Sequence, residues 1–163
     1  MKIVTNASPL IFLSKIDSLG LLQQCFSDVL APPAVLAETG LKLPDFVEQS
    51  QLSDLGEAFV RGALGSLHRG ELETLVLARE RGTDLVAVDD GAARRKAGQM
   101  GLRPIGTVGI LVLARRFGHL DEPTALEQLN LLVDRHGLYV SSALLQQVRH
   151  ALAGPHPDAT EEH

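Results

Sequence analysis

Short apolar runs alternate along the chain with longer segments whose apolar residues recur at helical spacing. The runs that predict strands are KIVTN, DVLAP, FVEQSQL, DLVAVDD and LRPIG. The segments that predict helices are PLIFLSKI, SLGLLQQCF, PAVLAE, DLGEAFVRGAL, GELETLVLARERG, GAARRKAGQMG, TVGILVLARRFG, PTALEQLNLLVDRHG and SSALLQQVRHAL. Strands that alternate with helices of this length indicate an α/β fold with three αβα layers and a mainly parallel sheet of about five strands.

Residues with strong capping preferences mark several of the predicted helix boundaries. Ser8 is the expected N-cap of the first helix, with Pro9 in its first turn. Gly40 and Gly82 are expected to end helices, and Thr107 is expected to open one.

Length and composition fit one globular domain. The chain has 163 residues, of which 45% are apolar and 21% are charged. We predict a single domain over residues 1–153 and a frayed or disordered tail over residues 154–163, which are rich in Pro, Asp and Glu. The single cysteine, Cys25, excludes a disulfide within the chain and is expected to be a small buried apolar residue.

The apolar N-terminal stretch MKIVTNASPLIFL is not predicted to be a signal peptide. Asn6, Ser8 and Pro9 interrupt it, and no small-residue cleavage site follows. The run GILVLA is too short to cross a bilayer. We therefore expect a soluble, cytoplasmic protein that does not associate with membranes.

Net charge bears on the class of ligand. The formal net charge is −5 and the pI is near 5.6, whereas nonspecific nucleic-acid binders are usually basic. A nuclease whose carboxylates are neutralised by bound cations is a partial exception, because the phosphate also contacts those cations.

Acidic and amide side chains follow the predicted strands at the edge where open parallel sheets bind ligands. Asn6 ends the first strand, and Asp89 and Asp90 end DLVAVDD. Glu71 begins a helix, and Glu38 lies at the end of a short helix after the second strand. Each residue also has an ordinary interpretation: a first-turn acid for Glu71, a solvated side chain for Glu38, and a helix cap for Asp90.

Five segments carry a family resemblance in their order and spacing. They are IVTNASPLIFLSKI, APPAVLAETG, RGELETLVLARERG, LVAVDDGAARRKAGQMGL and PIGTVGILVLARR. Over residues 2–118 the chain resembles the PIN (PilT N-terminus) domain family. It is most similar to a branch of short, VapC-like proteins that begin with Asn/Asp-x-Ser-Pro-Leu.

The resemblance implies a set of catalytic and metal-binding residues. The four acidic positions of the family fall on Asn6, then Glu38, then Glu71, and then the Asp89-Asp90 pair, of which either can be the inner ligand. They are implied to hold one or two Mg²⁺ or Mn²⁺ ions, which activate water for attack on a phosphodiester.

Hydroxyl and basic residues complete the implied site. Ser8 and Thr107 match supporting hydroxyl positions, although both are equally explained as helix N-caps. The candidate substrate contacts are Arg94, Arg95 and Lys96. For the pair Arg115 and Arg116, a solvated helix face is favoured over contact with RNA.

The implied activity is that of a metal-dependent endoribonuclease, the toxin of a toxin–antitoxin pair. Its expected partners are an RNA substrate, a small antitoxin protein and a second copy of the chain. Asn6 departs from the usual aspartate and contributes no negative charge, which leaves open a weakened or inactive PIN-like scaffold. A phosphoacceptor receiver domain is disfavoured, because its acidic pair would follow the first strand.

Overall fold

The computed structural model describes residues 1–65 and 67–154, so residues 155–163 of the predicted tail lie outside the described part. The strands are β1 (Lys2–Thr5), β2 (Asp28–Ala31), β3 (Val47–Gln49), β4 (Leu85–Ala87) and β5 (Pro104–Ile105). The helices are α1 (Ala7–Lys15), α2 (Gly20–Cys25), α3 (Pro33–Thr39), α4 (Asp54–Ala63), α5 (Arg69–Arg81), α6 (Gly91–Gln99), α7 (Thr107–Arg116), α8 (Glu122–Asn130) and α9 (Ser142–Ala153).

These elements divide into two compact units. The sheet unit comprises residues 1–11 and 26–107, and the helical unit comprises residues 12–25 together with the chain from residue 108. That residues 1–153 form a single domain stays a prediction. In the described part of the chain, no helix has both the length and the apolar character needed to cross a membrane.

All five strands of the sheet unit are parallel, in the order β3-β2-β1-β4-β5. The predicted α/β class and strand number are confirmed. Val4 of β1 pairs with Leu30 of β2 on one side and with Val86 of β4 on the other. Strand order reverses at β1 and β4, so a crevice is expected where these two strands end.

Helix α5 supplies much of the core of the sheet unit. Its residues from Leu72 to Ala78 are all buried, and they cluster with Val4, Val86 and Val88 from the sheet. The helix ends at Gly82, whose φ of 61° lies in the left-handed region that glycine adopts without strain. The predicted end of this helix is therefore confirmed, and its buried face fixes the position of its first turn beside the sheet.

The start of α1 differs from the prediction. The helix begins at Ala7, so Ser8 is a first-turn residue and not the N-cap. Its hydroxyl donates a hydrogen bond to Oδ2 of Asp89 at 2.8 Å. Because the acceptor is a carboxylate, this hydrogen bond is charge-assisted and ties the first turn of α1 to Asp89.

The helical unit departs from the sequence prediction in two places. The segment PTALEQLNLLVDRHG is not one regular helix, because a π-helical turn at Leu131–Arg135 follows α8. Arg115 does not lie on a solvated face: it is 8% exposed and donates to the carbonyl oxygens of Leu152 and Gly154, each at 3.1 Å. Cys25 is buried, as predicted.

Candidate active site

Asn6 lies at the carboxyl end of β1, at the point where strand order reverses. Its backbone N–H donates to the carbonyl oxygen of Ala87 at 2.9 Å, which extends the pairing of β1 with β4 by one residue. The side chain is 6% exposed, and its Oδ1 accepts no hydrogen bond from the described residues. A buried acceptor without a hydrogen-bond partner costs about 1–3 kcal/mol, and a ligand that binds this oxygen would remove that cost.

Glu38 and Asn6 converge on the backbone of Gly70 in the first turn of α5. A Cβ atom at Gly70 would lie 2.7 Å from Oε2 of Glu38 and 3.9 Å from Oδ1 of Asn6. The glycine therefore leaves open the space into which both oxygens point. Glu38 comes from the end of α3 and Asn6 from the end of β1, so the fold brings together residues 32 positions apart.

Glu71 adds a second carboxylate next to Gly70. One of its side-chain oxygens, Oε2, accepts a hydrogen bond from the backbone N–H of His68 at 3.2 Å, so the predicted first-turn interaction is present. Burial raises the pKa of the Glu71 carboxyl above its ordinary value, and the carboxylates of Asp90 and Glu38 act in the same direction. The carboxylates of Asp90 and Glu38 therefore each lie close enough to repel that of Glu71.

Asp89 and Asp90 have different surroundings. Both oxygens of Asp89 are engaged: Oδ1 accepts the N–H of Thr107 at 2.7 Å, and Oδ2 accepts the hydroxyls of Thr107 at 2.7 Å and Ser8 at 2.8 Å. Among the described residues, the side chain of Asp90 accepts only the N–H of Ala93, at 3.0 Å, as the cap of α6. Asp90 is the member of the pair whose charge helps to raise the pKa of Glu71, so it belongs with Glu71 and Glu38.

The three predicted substrate contacts do not lie together. A Cβ at Gly106 would lie 2.8 Å from Nη1 of Arg94 and 3.1 Å from Oδ1 of Asp89, so Arg94 lies beside Asp89. Arg95 and Lys96 instead line a groove on another side of α6. Arg94 and Lys96 are two residues apart, or about 200° around the helix axis, so these two side chains leave α6 in different directions.

The donor set suits a hard cation such as Mg²⁺ or Mn²⁺. Within the described residues, no three His, Cys, Asp or Glu side chains already form a metal-holding group. The oxygens of Asn6, Glu38, Glu71 and Asp90 nevertheless have the required chemistry, since a cation would satisfy the orphaned amide oxygen and relieve the repulsion between the carboxylates.

Two glycines that shape this site were not identified from the sequence. Gly70 and Gly106 both lie against site oxygens that any larger residue would displace. Neither glycine has a positive φ, so no turn requirement marks either of them in the sequence.

Comparison with known proteins agrees with this geometry. No curated protein matches the chain at a significant level. A family model described as a PIN domain (DUF3368) matches residues 2–153, nearly the whole chain. PIN domains are generally nucleases that use divalent metal ions, whereas the VapC-like branch stays a prediction. The match and the parallel sheet together show that the chain belongs to the PIN domain family.

Proposed function

We propose that this protein is a metal-dependent endoribonuclease that hydrolyses phosphodiester bonds in RNA. One observation carries the proposal: the unpartnered Oδ1 of Asn6 and the Oε2 of Glu38 face the same open point at Gly70. Glu71 and Asp90 add negative charge beside it. An oxygen-lined, acidic crevice at a strand-order reversal suits a hydrated divalent cation and a phosphate.

Within this proposal, Asn6, Glu38, Glu71 and Asp90 hold Mg²⁺ or Mn²⁺. The bound cation supplies a Lewis acid that activates water and stabilises developing charge on the phosphate. Arg94, beside Asp89, has guanidinium donors for a phosphate oxygen.

The biological setting is proposed from the N-terminal motif. The segment TNASPL resembles the start of short VapC-like toxins, which supports a toxin whose antitoxin is a small protein that covers the acidic crevice. The same resemblance supports a homodimer, and the single buried thiol suits a reducing cytoplasm.

A second candidate function is a PIN-like binding module that has lost catalysis. Asn6 favours it, because an amide brings no charge and a site with fewer charged ligands binds a divalent cation more weakly. The two candidates differ in one property: the nuclease binds Mg²⁺ or Mn²⁺ at millimolar concentrations, and the binding module does not.

Cleavage of structured RNA by the purified protein tests the nuclease. We expect cleavage with Mn²⁺ that stops with EDTA and falls by at least about 100-fold in Asp90→Ala. Asp45→Ala, a change at an exposed acid in the loop before β3, is the control and keeps full activity. Cleavage that survives both EDTA and Asp90→Ala would come from a contaminating enzyme or another site, and would reject the proposal.

A further inference from the structure

Two of the basic residues of α6 line a groove on the sheet unit that is distinct from the acidic crevice. The groove measures about 390 Å³. It is lined by Ala63, Leu67, Leu72, Ala92, Arg95, Lys96 and Gln99. The four α6 residues of this set recur at intervals of three, one and three positions, which places them on one face of the helix.

The side-chain charges of Arg95 and Lys96 have no ion-pair partner among the described residues. The ion pairs within the described residues are Arg61 with Glu57 and Arg69 with Glu73, so neither Arg95 nor Lys96 takes part in one. Two free positive charges on a protein of net charge −5 mark a local reversal of sign. Such a groove favours a polyanion.

Two of the helices that line the groove, α5 and α6, also carry residues of the acidic crevice. On α5, Leu72 in the groove directly follows Glu71 in the crevice. On α6, Ala92 in the groove is two residues after Asp90. Arg95 and Lys96 lie five and six residues beyond Asp90, or about 8–9 Å along a helix that rises 1.5 Å per residue.

We propose that this groove binds the backbone of a single-stranded RNA segment next to the cleaved bond. This inference rests on the proposed ribonuclease function and assigns it a second subsite. Arg95 and Lys96 contact phosphates that neighbour the scissile one, and Gln99 offers a hydrogen bond to a sugar or base. Ala63 and Ala92 supply a small apolar surface for a ribose or base face. No aromatic residue is in the lining, so bases do not stack on an aromatic side chain in this groove.

Salt dependence of RNA binding tests the subsite without relying on cleavage. Binding of a labelled single-stranded RNA is measured with Mg²⁺ at several KCl concentrations, in an Asp90→Ala background to prevent hydrolysis. Arg95→Ala/Lys96→Ala removes two phosphate contacts. The slope of log affinity against log salt should become shallower by about 1.4, since each phosphate on a single strand contributes about 0.7.

Two matched variants isolate the groove from general charge. Arg116→Ala/Arg135→Ala removes the same two charges from exposed positions of the helical unit and should leave the slope unchanged. Arg95→Lys/Lys96→Arg keeps both charges and should retain the slope of the parent. Calorimetric Mg²⁺ affinity in the otherwise unchanged protein should be the same with and without Arg95→Ala/Lys96→Ala.

The outcomes separate this inference from the proposed function. RNA cleavage by the unmodified protein together with an unchanged slope in Arg95→Ala/Lys96→Ala overturns the subsite alone. A shallower slope without any metal-dependent cleavage supports the RNA groove and rejects the nuclease. Absence of RNA binding overturns both. Loss of binding to a polyglutamate peptide, with the RNA slope unchanged, assigns the groove to an acidic protein and overturns the inference.

Discussion

Asp89 and Thr107 are joined by two hydrogen bonds, one from the backbone N–H and one from the hydroxyl of Thr107, each 2.7 Å long. Ser8 donates a third to the same carboxylate. The three residues come from the end of β4 and the first turns of α7 and α1, so Asp89 ties three segments together beside the crevice. Its oxygens are occupied by these donors, which makes Asp89 a positioning residue for Asn6 and Asp90.

We predict that Asp89→Ala lowers the free energy of unfolding by about 3 kcal/mol, because it strands the buried N–H and hydroxyl of Thr107. Ser8→Ala removes a single donor and should cost only about 1 kcal/mol. Urea denaturation measures both. A loss below about 1 kcal/mol in Asp89→Ala would contradict the role of this carboxylate as a tie.

Gly70 provides a second prediction through the space that it leaves open. Gly70→Ala places a Cβ 2.7 Å from Oε2 of Glu38 and should displace that oxygen, so Mg²⁺ affinity should fall by about tenfold or more as a ligand is lost. Calorimetry measures the affinity.

Gly98→Ala is the control for the helix propensity of alanine. Gly98 lies in α6, and a Cβ there meets nothing within 4 Å, so the change should stabilise the protein by about 0.5–1 kcal/mol and leave Mg²⁺ binding intact. If Gly70→Ala stabilises the protein as much as Gly98→Ala does and leaves Mg²⁺ affinity unchanged, Glu38 does not bind the cation beside Gly70.

The raised pKa of Glu71 predicts a pH dependence of stability in the absence of metal. The folded state holds the proton of Glu71 more tightly than the unfolded chain does. As pH rises from the ordinary value of 4.5 through the raised pKa, the folded state therefore loses stability at this group.

Glu71→Gln removes that titration and keeps an acceptor for the N–H of His68. With EDTA present, the variant should gain stability relative to the parent as pH rises through this range, and the gain should vanish below it. Chemical denaturation across this range measures the difference. A difference that does not change with pH would show that Glu71 has no raised pKa in the folded protein.

Arg115 and Arg116 offer a pair of neighbouring arginines with opposite surroundings. Arg115→Ala leaves the carbonyl oxygens of Leu152 and Gly154 without their donor and should destabilise the protein by about 1–3 kcal/mol. Arg116→Ala at an exposed position should change stability by less than about 0.5 kcal/mol. Thermal unfolding distinguishes them, and equal effects would contradict a structural role for Arg115.

Local patterns in the sequence were sufficient for the fold class. Apolar runs marked the strands, and left-handed glycines at 40 and 82 ended helices where they were expected. The strand ends located Asn6 and the Asp89-Asp90 pair at one sheet edge. The family resemblance added a metal-binding role for Glu38, which the sequence alone also explains as a solvated side chain at the end of a short helix.

Features that depend on long-range contacts could not be predicted from local sequence patterns. Asp89 meets Ser8 across 81 positions and Thr107 across 18, so neither partner is visible in a local window. Arg115 is buried only because the carbonyl oxygens of α9 and the residue after it accept its guanidinium. The division of Arg94 from Lys96, by contrast, follows from helix geometry, because two residues span about 200° around the axis, and it was predictable once α6 had been placed.

Calorimetric titration of Mg²⁺ and Mn²⁺ into the protein and into Asn6→Asp tests the central claim, that side-chain oxygens from distant parts of the chain form one cation site. We expect binding at millimolar concentrations by the parent and binding that is at least about tenfold tighter in Asn6→Asp, because an added charge among the ligands raises affinity. Absence of binding by the parent, together with no gain in Asn6→Asp, would contradict the existence of this site.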